Sequence, residues 1–431
     1  MAHGLKRSDE REARFFGCKS VLLGLLLFLL GGMITSAPIT TVAHAQKSGW
    51  EEVPISEGVF QRFLSPVVYD PINARFEFFG GSGPRAVYSD TIFFYPGNDT
   101  FLSVNTFVHP SQRYLPAMSF DEACGCAVLF GGAYKQTPTS EEFIYNDTWL
   151  FFSKNDSWTE VTPAVSPPVR HMAGMVYSSS TRTDLLFGGT DGMNYNDLWS
   201  FNTTTLSWTM QQNYTLTTTL TNRPLNRFAF GMASTDDGTS FLVFGGGGVN
   251  ESGARTQYFV YDDTWVYSAT QQSWSNLTSG VHPSGRAFPA IASSPEYGIT
   301  LMFGGSAGAD PFATSNYLSD TWVFDQSTNA WHELNITGPP AIFGASLGYD
   351  PISRSFVLFG GKGNASVGIS NEVWRLNASV ILSLIGKTSS IELTSVALVI
   401  CVPAVASVLV ITWVNKRRLA RSRGTQNLTV K

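Results

Sequence analysis

Short apolar runs, each closed by a pair of glycines, recur along most of the chain. Val128-Leu129-Phe130 is one example, and Leu185-Leu186-Phe187 and Leu242-Val243-Phe244 are two others. A short continuous apolar run predicts a β-strand that is covered on both faces. The glycines end each strand, because glycine adopts backbone angles that residues with a Cβ atom avoid.

The tripeptide Phe-Gly-Gly divides the chain into repeated units. Its six copies begin 51 to 59 residues apart, at Phe79, Phe130, Phe187, Phe244, Phe303 and Phe359. A period in this range, with one apolar strand before each glycine pair, is typical of a repeat architecture. The repeat therefore predicts the fold before any single side chain is interpreted.

Each unit contains further recurring positions. An acidic and aromatic element such as Asp147-Thr148-Trp149 follows the glycines, and a strand that begins with an aromatic residue such as Trp158 comes after it. An earlier apolar strand precedes the glycines, and in five units it opens on an arginine: Arg62, Arg113, Arg170, Arg227 and Arg286. Each unit therefore predicts four short strands, which we name a to d in chain order.

This combination of positions resembles the kelch repeat over roughly residues 49–376. The resemblance implies an all-β fold, a kelch β-propeller of the family that includes galactose oxidase and kelch-like proteins. The six units of this chain predict a six-bladed propeller of four-stranded blades. Ile92 and Phe101 replace tryptophan in the first unit, and Ile342 replaces arginine in the last. These departures indicate divergence within the ring and not a different fold.

The two ends of the repeat region predict how the ring closes. The sixth unit ends at Trp374-Arg375-Leu376 without a fourth strand, whereas the segment around Trp50 matches that strand in sequence. Kelch propellers commonly close in this way, so we expect the N-terminal strand to complete blade six. The alternative is that Trp50 is an isolated apolar residue.

The N-terminal 45 residues predict a secretory signal peptide. Basic residues precede an apolar run over residues 21–30, and Ala43-His44-Ala45 offers a cleavage site flanked by small residues. An uncleaved signal anchor is the alternative. In either case residues 46–376 are expected to form an extracellular or lumenal ectodomain.

The C-terminal region predicts a single membrane-spanning helix. Residues 393–414 carry no charge and are long enough to cross a bilayer. Five basic residues follow within residues 416–423, which by the positive-inside rule places residues 415–431 in the cytoplasm. The predicted topology is therefore type I in the cell membrane or a secretory-pathway membrane, with residues 377–392 as a juxtamembrane stalk.

Charge and glycosylation motifs agree with this topology. Residues 46–392 contain 30 acidic and 17 basic residues, a net charge of −13 that argues against nucleic-acid binding. Nine acceptor sequons are predicted to carry N-glycans: Asn98, Asn155, Asn202, Asn213, Asn250, Asn276, Asn335, Asn364 and Asn377. Asn146 abuts a predicted strand and is a poorer candidate.

The sequence contains no recognisable catalytic or metal-binding set. His109, His171 and the other histidines of the ectodomain do not have the spacing of metal ligands, such as His-x-x-x-His. Kelch-like oxidases bind copper through Tyr and His, and no matching set of residues can be assigned in this sequence. We therefore expect neither a cofactor nor a metal. Cys124 and Cys126 are expected to be two buried or free thiols, because a disulfide across one residue would be strained; half of a metal site is the alternative.

The arginines that open strand a are the candidate ligand-binding residues. Since strands alternate in direction, the start of strand a, the b–c loops and the d–a connections share one face of the propeller, which we call the loop-rich face. Guanidinium groups there would suit a carboxylate or phosphate. Alternatively, each arginine ties adjacent blades together through backbone carbonyls or the recurring aspartates.

Two classes of function remain open. The first is a non-enzymatic binding module for an extracellular protein or glycan. The second is a secretory-pathway enzyme that acts on a sugar, as an oxidase or epimerase. The fold alone does not decide between these two functions. The missing metal set and the short predicted tail favour the binding module.

Overall fold

A computed structural model describes residues 49–55, 61–137, 139–215, 222–235, 238–250, 257–278, 280–307 and 316–387. The predicted signal peptide, membrane-spanning helix and cytoplasmic tail lie outside these residues. Within the described ranges, no helix has both the length and the apolar character needed to cross a bilayer.

Six four-stranded antiparallel sheets form the blades of a β-propeller, which confirms the predicted architecture. Blade one contains β2 (Val67–Asp70), β3 (Arg75–Phe79), β4 (Thr91–Tyr95) and β5 (Thr100–Val104). Blade two contains β6 (Ala117–Asp121), β7 (Cys126–Phe130), β10 (Thr148–Phe152) and β11 (Ser157–Val161). Blade three contains β12 (Gly174–Ser178), β13 (Thr183–Phe187), β14 (Leu198–Asn202) and β15 (Ser207–Gln212).

The remaining blades repeat this arrangement. Blade four contains β16 (Gly231–Ser234), β17 (Ser240–Phe244), β20 (Thr264–Ser268) and β21 (Ser273–Asn276). Blade five contains β22 (Ala290–Ser294), β23 (Ile299–Ser306), β24 (Tyr317–Asp325) and β25 (Ala330–Leu334). Blade six contains β26 (Ser346–Asp350), β27 (Ser355–Phe359), β28 (Val373–Asn377) and the N-terminal β1 (Glu51–Glu52).

Two small hairpins lengthen the loop-rich face. In blade two, β8 (Ala133–Lys135) pairs with β9 (Glu142–Ile144) between strands b and c. In blade four, β18 (Gly247–Asn250) pairs with β19 (Gln257–Val260) at the same position. These hairpins stand beside the mouth of the central channel and carry exposed aromatic side chains, Phe143 and Phe259.

The N-terminal strand supplies the fourth strand of blade six. Glu51 pairs with Arg375 and Glu52 with Trp374 in antiparallel register. Trp50 is buried, and its indole Nε1 donates to Thr321 Oγ1 of blade five at 3.0 Å. Backbone pairing and a buried tryptophan thus join the two ends of the repeat region.

The other tryptophans that open strand d pack in the same way between blades. Trp208 Nε1 donates to Thr148 Oγ1 of the preceding blade at 3.0 Å, and the Trp208 ring lies 5.1 Å from that of Phe130. The threonine of the Asp-Thr-Trp element is therefore an acceptor for the next blade. Where blade three has Leu198 in place of threonine, Trp274 donates instead to Gln212 Oε1 at 2.9 Å.

A buried ionic cluster joins blades one and two. Arg75 Nη2 lies 2.8 Å from Glu77 Oε1, Arg75 Nε lies 3.2 Å from Asp70 Oδ2, and Asp156 of blade two contacts the same guanidinium. Burial raises the pKa of Glu77 to about 8, although Arg75 opposes the shift. One cation cannot neutralise three carboxylates, so Glu77 is the group that retains a proton.

The packed structure continues beyond the predicted domain boundary at residue 376. Asn377 ends β28 and caps helix α1 (Ala378–Leu384) by accepting from Ser379 N at 2.8 Å. Ala378 and Ile381 are fully buried against blades five and six. Residues 377–387 therefore pack as part of the propeller, because the apolar side chains of the helix cover its core. Residues 388–392 of the predicted stalk lie outside the described residues.

Cys124 and Cys126 form a disulfide, so the prediction of two thiols was wrong. The a–b turn of blade two holds their Cα atoms 5.3 Å apart, a distance at which a disulfide is readily formed. Sequence separation alone did not reveal this, because the turn geometry sets the distance.

Candidate functional site: an aromatic basin on the loop-rich face

The five predicted arginines lie beneath the loop-rich face and not on it. Arg113, Arg170, Arg227 and Arg286 have at most 1% of their surface exposed, and Arg62 has 8%. Each makes a two-pronged ion pair with the recurring aspartate of its own blade, at 2.6 to 3.1 Å, with partners Asp90, Asp147, Asp197, Asp263 and Asp320. Guanidinium groups that are buried and paired in this way have no free surface for a ligand.

The arginines instead connect neighbouring blades. Arg170 O accepts from Gly132 N at 2.9 Å, and Arg170 N donates to Tyr145 O at 3.1 Å, both in the preceding blade. Burial by itself would raise the pKa of Asp263, but Arg227 and the indole of Trp265 hold it below its ordinary value. The arrangement matches the packing alternative, while ligand binding by these arginines stays a prediction.

A closed circle of backbone hydrogen bonds surrounds the channel mouth. It is formed by the residue two positions after each arginine or its equivalent: Leu64, Leu115, Met172, Ala229, Phe288 and Gly344. Each N–H donates to the carbonyl of the preceding member at 2.6 to 3.2 Å, and Leu64 donates to Gly344. All six adopt left-handed backbone angles, with φ between 53° and 63°. The circle therefore ties the six blades together at their inner edge.

A cavity of 480 Å³ opens on this circle, and we call it the basin. The residue that follows the arginine position, which is Ile342 in blade six, lines the basin in five of the six blades: Phe63, Tyr114, His171, Phe228 and Phe343. Leu64, Leu115, Met172 and Phe288 of the circle contribute further apolar surface. A second cavity of 440 Å³, lined by the innermost strands, shares no residue with the basin.

Polar side chains interrupt this apolar lining, and three of them are the ionisable His171, Glu142 and Lys362. His171 is 5% exposed, and its Nδ1 has no hydrogen-bond partner among the described residues. Burial lowers the pKa of His171 despite the opposing effect of Glu142 and Asp191, so its imidazole is neutral at pH 7. Glu142 accepts from the Tyr114 hydroxyl, and Lys362 Nζ lies 5.4 Å from the centre of the Phe63 ring.

Comparison with known proteins agrees with the repeat. The family model described as the KLHDC2/KLHL20/DRC7 Kelch-repeats domain matches residues 17–223. Together with the six four-stranded blades, this match decides the type of fold. The match and the six blades support a propeller of the kelch type.

The curated relatives of this kelch propeller are diverse. A dynein alpha chain of the flagellar outer arm from Chlamydomonas reinhardtii is 28% identical over 50% of the chain and 4% of the relative. An N-acetylneuraminate epimerase from Vibrio vulnificus is 31% identical over 25% of the chain and 26% of the relative. The host cell factor homolog hcf-1 of Caenorhabditis elegans is 28% identical over 45% of the chain and 24% of the relative. The chain thus spans about a quarter or less of the length of these relatives.

The predicted glycosylation sites differ in how far they are exposed. Six of the nine asparagines are exposed: Asn98, Asn155, Asn213, Asn276, Asn335 and Asn364. Asn202 and Asn377 are half-buried, and the side chain of Asn250 is outside the described part of the structure. None of the eight described side chains lines the basin, whereas Asn250 directly follows Val249, which does.

The other histidines and the acidic residues form no metal site in the part of the chain that the structure describes. His109 and His282 each contact the carbonyl of the proline that follows them, and His332 lies on β25. No group of three His, Cys, Asp or Glu side chains converges within the described ranges. Only His171 among these histidines lines the basin.

Sequence reasoning missed the basin although a signal for it was present. An aromatic residue or histidine follows the arginine position in five units, as Phe63 follows Arg62. A tyrosine also precedes the recurring aspartate by two residues in four units, and the Tyr145 ring lies 4.0 Å from the Arg113 guanidinium. Both recurrences were visible, but a repeat does not show which side chains face a cavity.

Proposed function

We propose that this kelch propeller is a non-enzymatic binding module that holds an extracellular protein or glycan in the basin. The observation that carries the proposal is the buried His171 nitrogen, which has no partner among the described residues, at an aromatic cavity. A buried polar atom without a hydrogen bond costs about 1–3 kcal/mol. Such an atom is explained if a ligand supplies its partner.

The basin has the composition of a ligand site. Aromatic rings such as Tyr114 and Phe343 offer large apolar surfaces, and a few convergent polar groups orient a bound molecule. Neutral His171 provides one hydrogen bond, and Lys362 provides a cation with no carboxylate partner among the described residues. These features suit a ligand with an apolar face and at least one acceptor or anionic group.

We further propose that the propeller is the ectodomain of a type I membrane glycoprotein. The Cys124–Cys126 disulfide and the exposed sequons support a secretory route, because disulfides persist in oxidising compartments. Lys387 contacts Asp325 and Ser327 at the c–d side of blade five, opposite the loop-rich face. The five residues from 388 to 392 reach at most ~18 Å, so a span at 393–414 would leave the basin facing away from the membrane.

The experiment compares ligand binding by the wild type with that of a His171→Ala variant of the full chain. A glycan array and proximity labelling on intact cells identify the ligand. We expect His171→Ala to weaken binding about tenfold or more, which corresponds to about 1.4 kcal/mol, without lowering the melting temperature. The matched control is His282→Ala, since His282 lies outside the basin and is expected to leave binding unchanged.

Three results would contradict these proposals. Binding by the His171→Ala variant at the wild-type level would show that the basin is not the ligand site. Access of an antibody to a C-terminal tag on intact, unpermeabilised cells would contradict the type I topology. Enzymatic deglycosylation that leaves the apparent mass unchanged would contradict the glycoprotein assignment.

A second candidate function is an enzyme that acts on a sugar. The similarity to an N-acetylneuraminate epimerase favours it, and neutral His171 with Glu142 in the same basin would supply an acid–base pair. Incubating the purified chain with N-acetylated amino sugars and following their proton spectra tests this function. Conversion that His171→Ala abolishes would favour the enzyme over the binding module.

A further inference from the structure

Three a–b turns of the propeller share one geometry. They span residues 70–75, 121–126 and 350–355, and each begins with an aspartate. The aspartate Oδ1 accepts from the backbone amide two residues later, at 2.8, 2.7 and 3.0 Å respectively. The fifth residue of each turn has a left-handed φ, at 52°, 64° and 55°. The same turn is therefore built three times within one chain.

Only the turn of blade two carries a disulfide among these three. Cys124 and Cys126 occupy its fourth and sixth positions. The same positions in blade six are Ser353 and Ser355, where Ser355 Oγ donates to Ser353 O at 3.1 Å. Since blade six makes the turn with two serines, the disulfide is not needed to form it.

The short separation of the two cysteines leads to the same conclusion. A disulfide stabilises a protein mainly by restricting its unfolded chain, and the effect is smallest for the shortest loops. Here the bridge spans one intervening residue, Gly125, in a turn that Asp121 already orders. The bond is therefore expected to add little to the stability of the propeller.

The two sulfur atoms differ in access. Cys124 is half-buried in the turn, whereas Cys126 has none of its surface exposed at the start of β7. Thiol–disulfide exchange requires a thiolate to reach one sulfur of the bond. Of the two residues only Cys124 has exposed surface, so we expect the thiolate to attack its sulfur.

We propose that Cys124–Cys126 is a reversible redox modification site that low-molecular-weight thiols reduce without unfolding the propeller. A thiolate attacks Cys124 Sγ and forms a mixed disulfide, and Cys126 leaves as a thiolate that takes up a proton. A second thiolate attacks the small-thiol sulfur of the mixed disulfide, which releases an oxidised small-molecule disulfide and the Cys124 thiol. Two thiols thus supply the two electrons that reduce the protein disulfide. The site lies on the face opposite the basin, so it does not depend on the proposed function.

The test measures alkylation of the full-length protein under native conditions. The protein is incubated with or without millimolar glutathione, treated with iodoacetamide and mapped by peptide mass spectrometry. We expect no label on either cysteine without the thiol. With the thiol we expect label on Cys124, whereas Cys126, which has no exposed surface, should be labelled only after subsequent denaturation. When the reaction is interrupted, the glutathione adduct should lie on Cys124 and not on Cys126.

A serine variant separates redox exchange from a structural role. The double variant Cys124→Ser/Cys126→Ser reproduces the residues of the blade-six turn, and we expect its melting temperature to lie within about 3 °C of the wild type. Four results would overturn the proposal: label without thiol, no label with thiol, an adduct on Cys126, or a double variant that fails to fold.

Discussion

Replacing Thr148 with valine tests the hydrogen bond that joins blades two and three. Thr148 is fully buried, and its hydroxyl accepts from Trp208 Nε1 at 3.0 Å. Valine preserves the shape and the β-branched character of threonine but removes the acceptor. The indole N–H then remains buried without a partner.

The expected cost follows from that orphaned donor. Leaving a buried donor unsatisfied costs about 1–3 kcal/mol, whereas removing both partners of a hydrogen bond is nearly neutral. The chain contains a natural example of the second case at the junction of blades six and one. There Phe101 replaces the tryptophan and Val373 replaces the threonine, and both line one small apolar cavity of 30 Å³.

A double-mutant cycle in urea unfolding measures the contact directly. We expect Thr148→Val to lower the free energy of unfolding by about 1–3 kcal/mol in the wild type, and by much less when Trp208→Phe is already present. Thr159→Val is the matched control, since Thr159 is exposed on β11 and its change is expected to stay within about 0.5 kcal/mol.

The reasoning fails if the two changes are additive. An equal cost of Thr148→Val in the wild type and in the Trp208→Phe variant would show that the hydrogen bond contributes nothing and that valine acts through packing. A cost of Thr159→Val as large as that of Thr148→Val would likewise assign the effect to strand propensity.

Three further predictions concern other contacts. Arg227→Met should cost about 3–5 kcal/mol in unfolding experiments because it leaves Asp263 without its cation, and adding Asp263→Asn should recover part of that loss. Glu77 has a pKa of about 8 in the folded protein against an ordinary value of 4.5, so between pH 4.5 and 8 unfolding releases its proton. The stability of the propeller should therefore fall as the pH rises through this window, and Glu77→Gln should reduce that fall in melting curves recorded across it. Ile381→Ala should cost about 2–5 kcal/mol because its site in helix α1 is fully buried, whereas Leu384→Ala, at 48% exposure, should change the unfolding midpoint little.

The departures from the repeat show how far sequence reasoning extends. Ile342 was identified as an exception to the arginine position, and its partner position correspondingly carries Glu372, which binds only the indole of Trp374 among the described side chains. The sequence identified the exception but not its consequence. The consequence is that Glu372 has no arginine partner, and this follows only from the folded structure, which shows which acidic residue lies opposite residue 342 in the blade.

The placement of the candidate site was predicted less well than the fold. The loop-rich face was identified from strand direction. The arginines chosen there are buried, and the residues that follow them in sequence line the basin. Phe63 and His171 are adjacent to Arg62 and Arg170 in sequence, yet each neighbour faces a different environment. Side-chain direction at a left-handed turn cannot be obtained from residue type alone.

The sequence by itself determined the number of blades, the four strands of each and the residues that close the ring, because local periodicity of apolar residues and glycines encodes strands and turns. Tertiary structure decided the rest. It paired the arginines with aspartates 27 to 36 residues away, brought Cys124 within reach of Cys126 and packed helix α1 against blades five and six. Burial and hydrogen bonding arise from contacts between segments that are distant in sequence. Only the folded chain therefore shows which polar groups have a hydrogen-bond partner and which, such as His171 Nδ1, have none among the described residues.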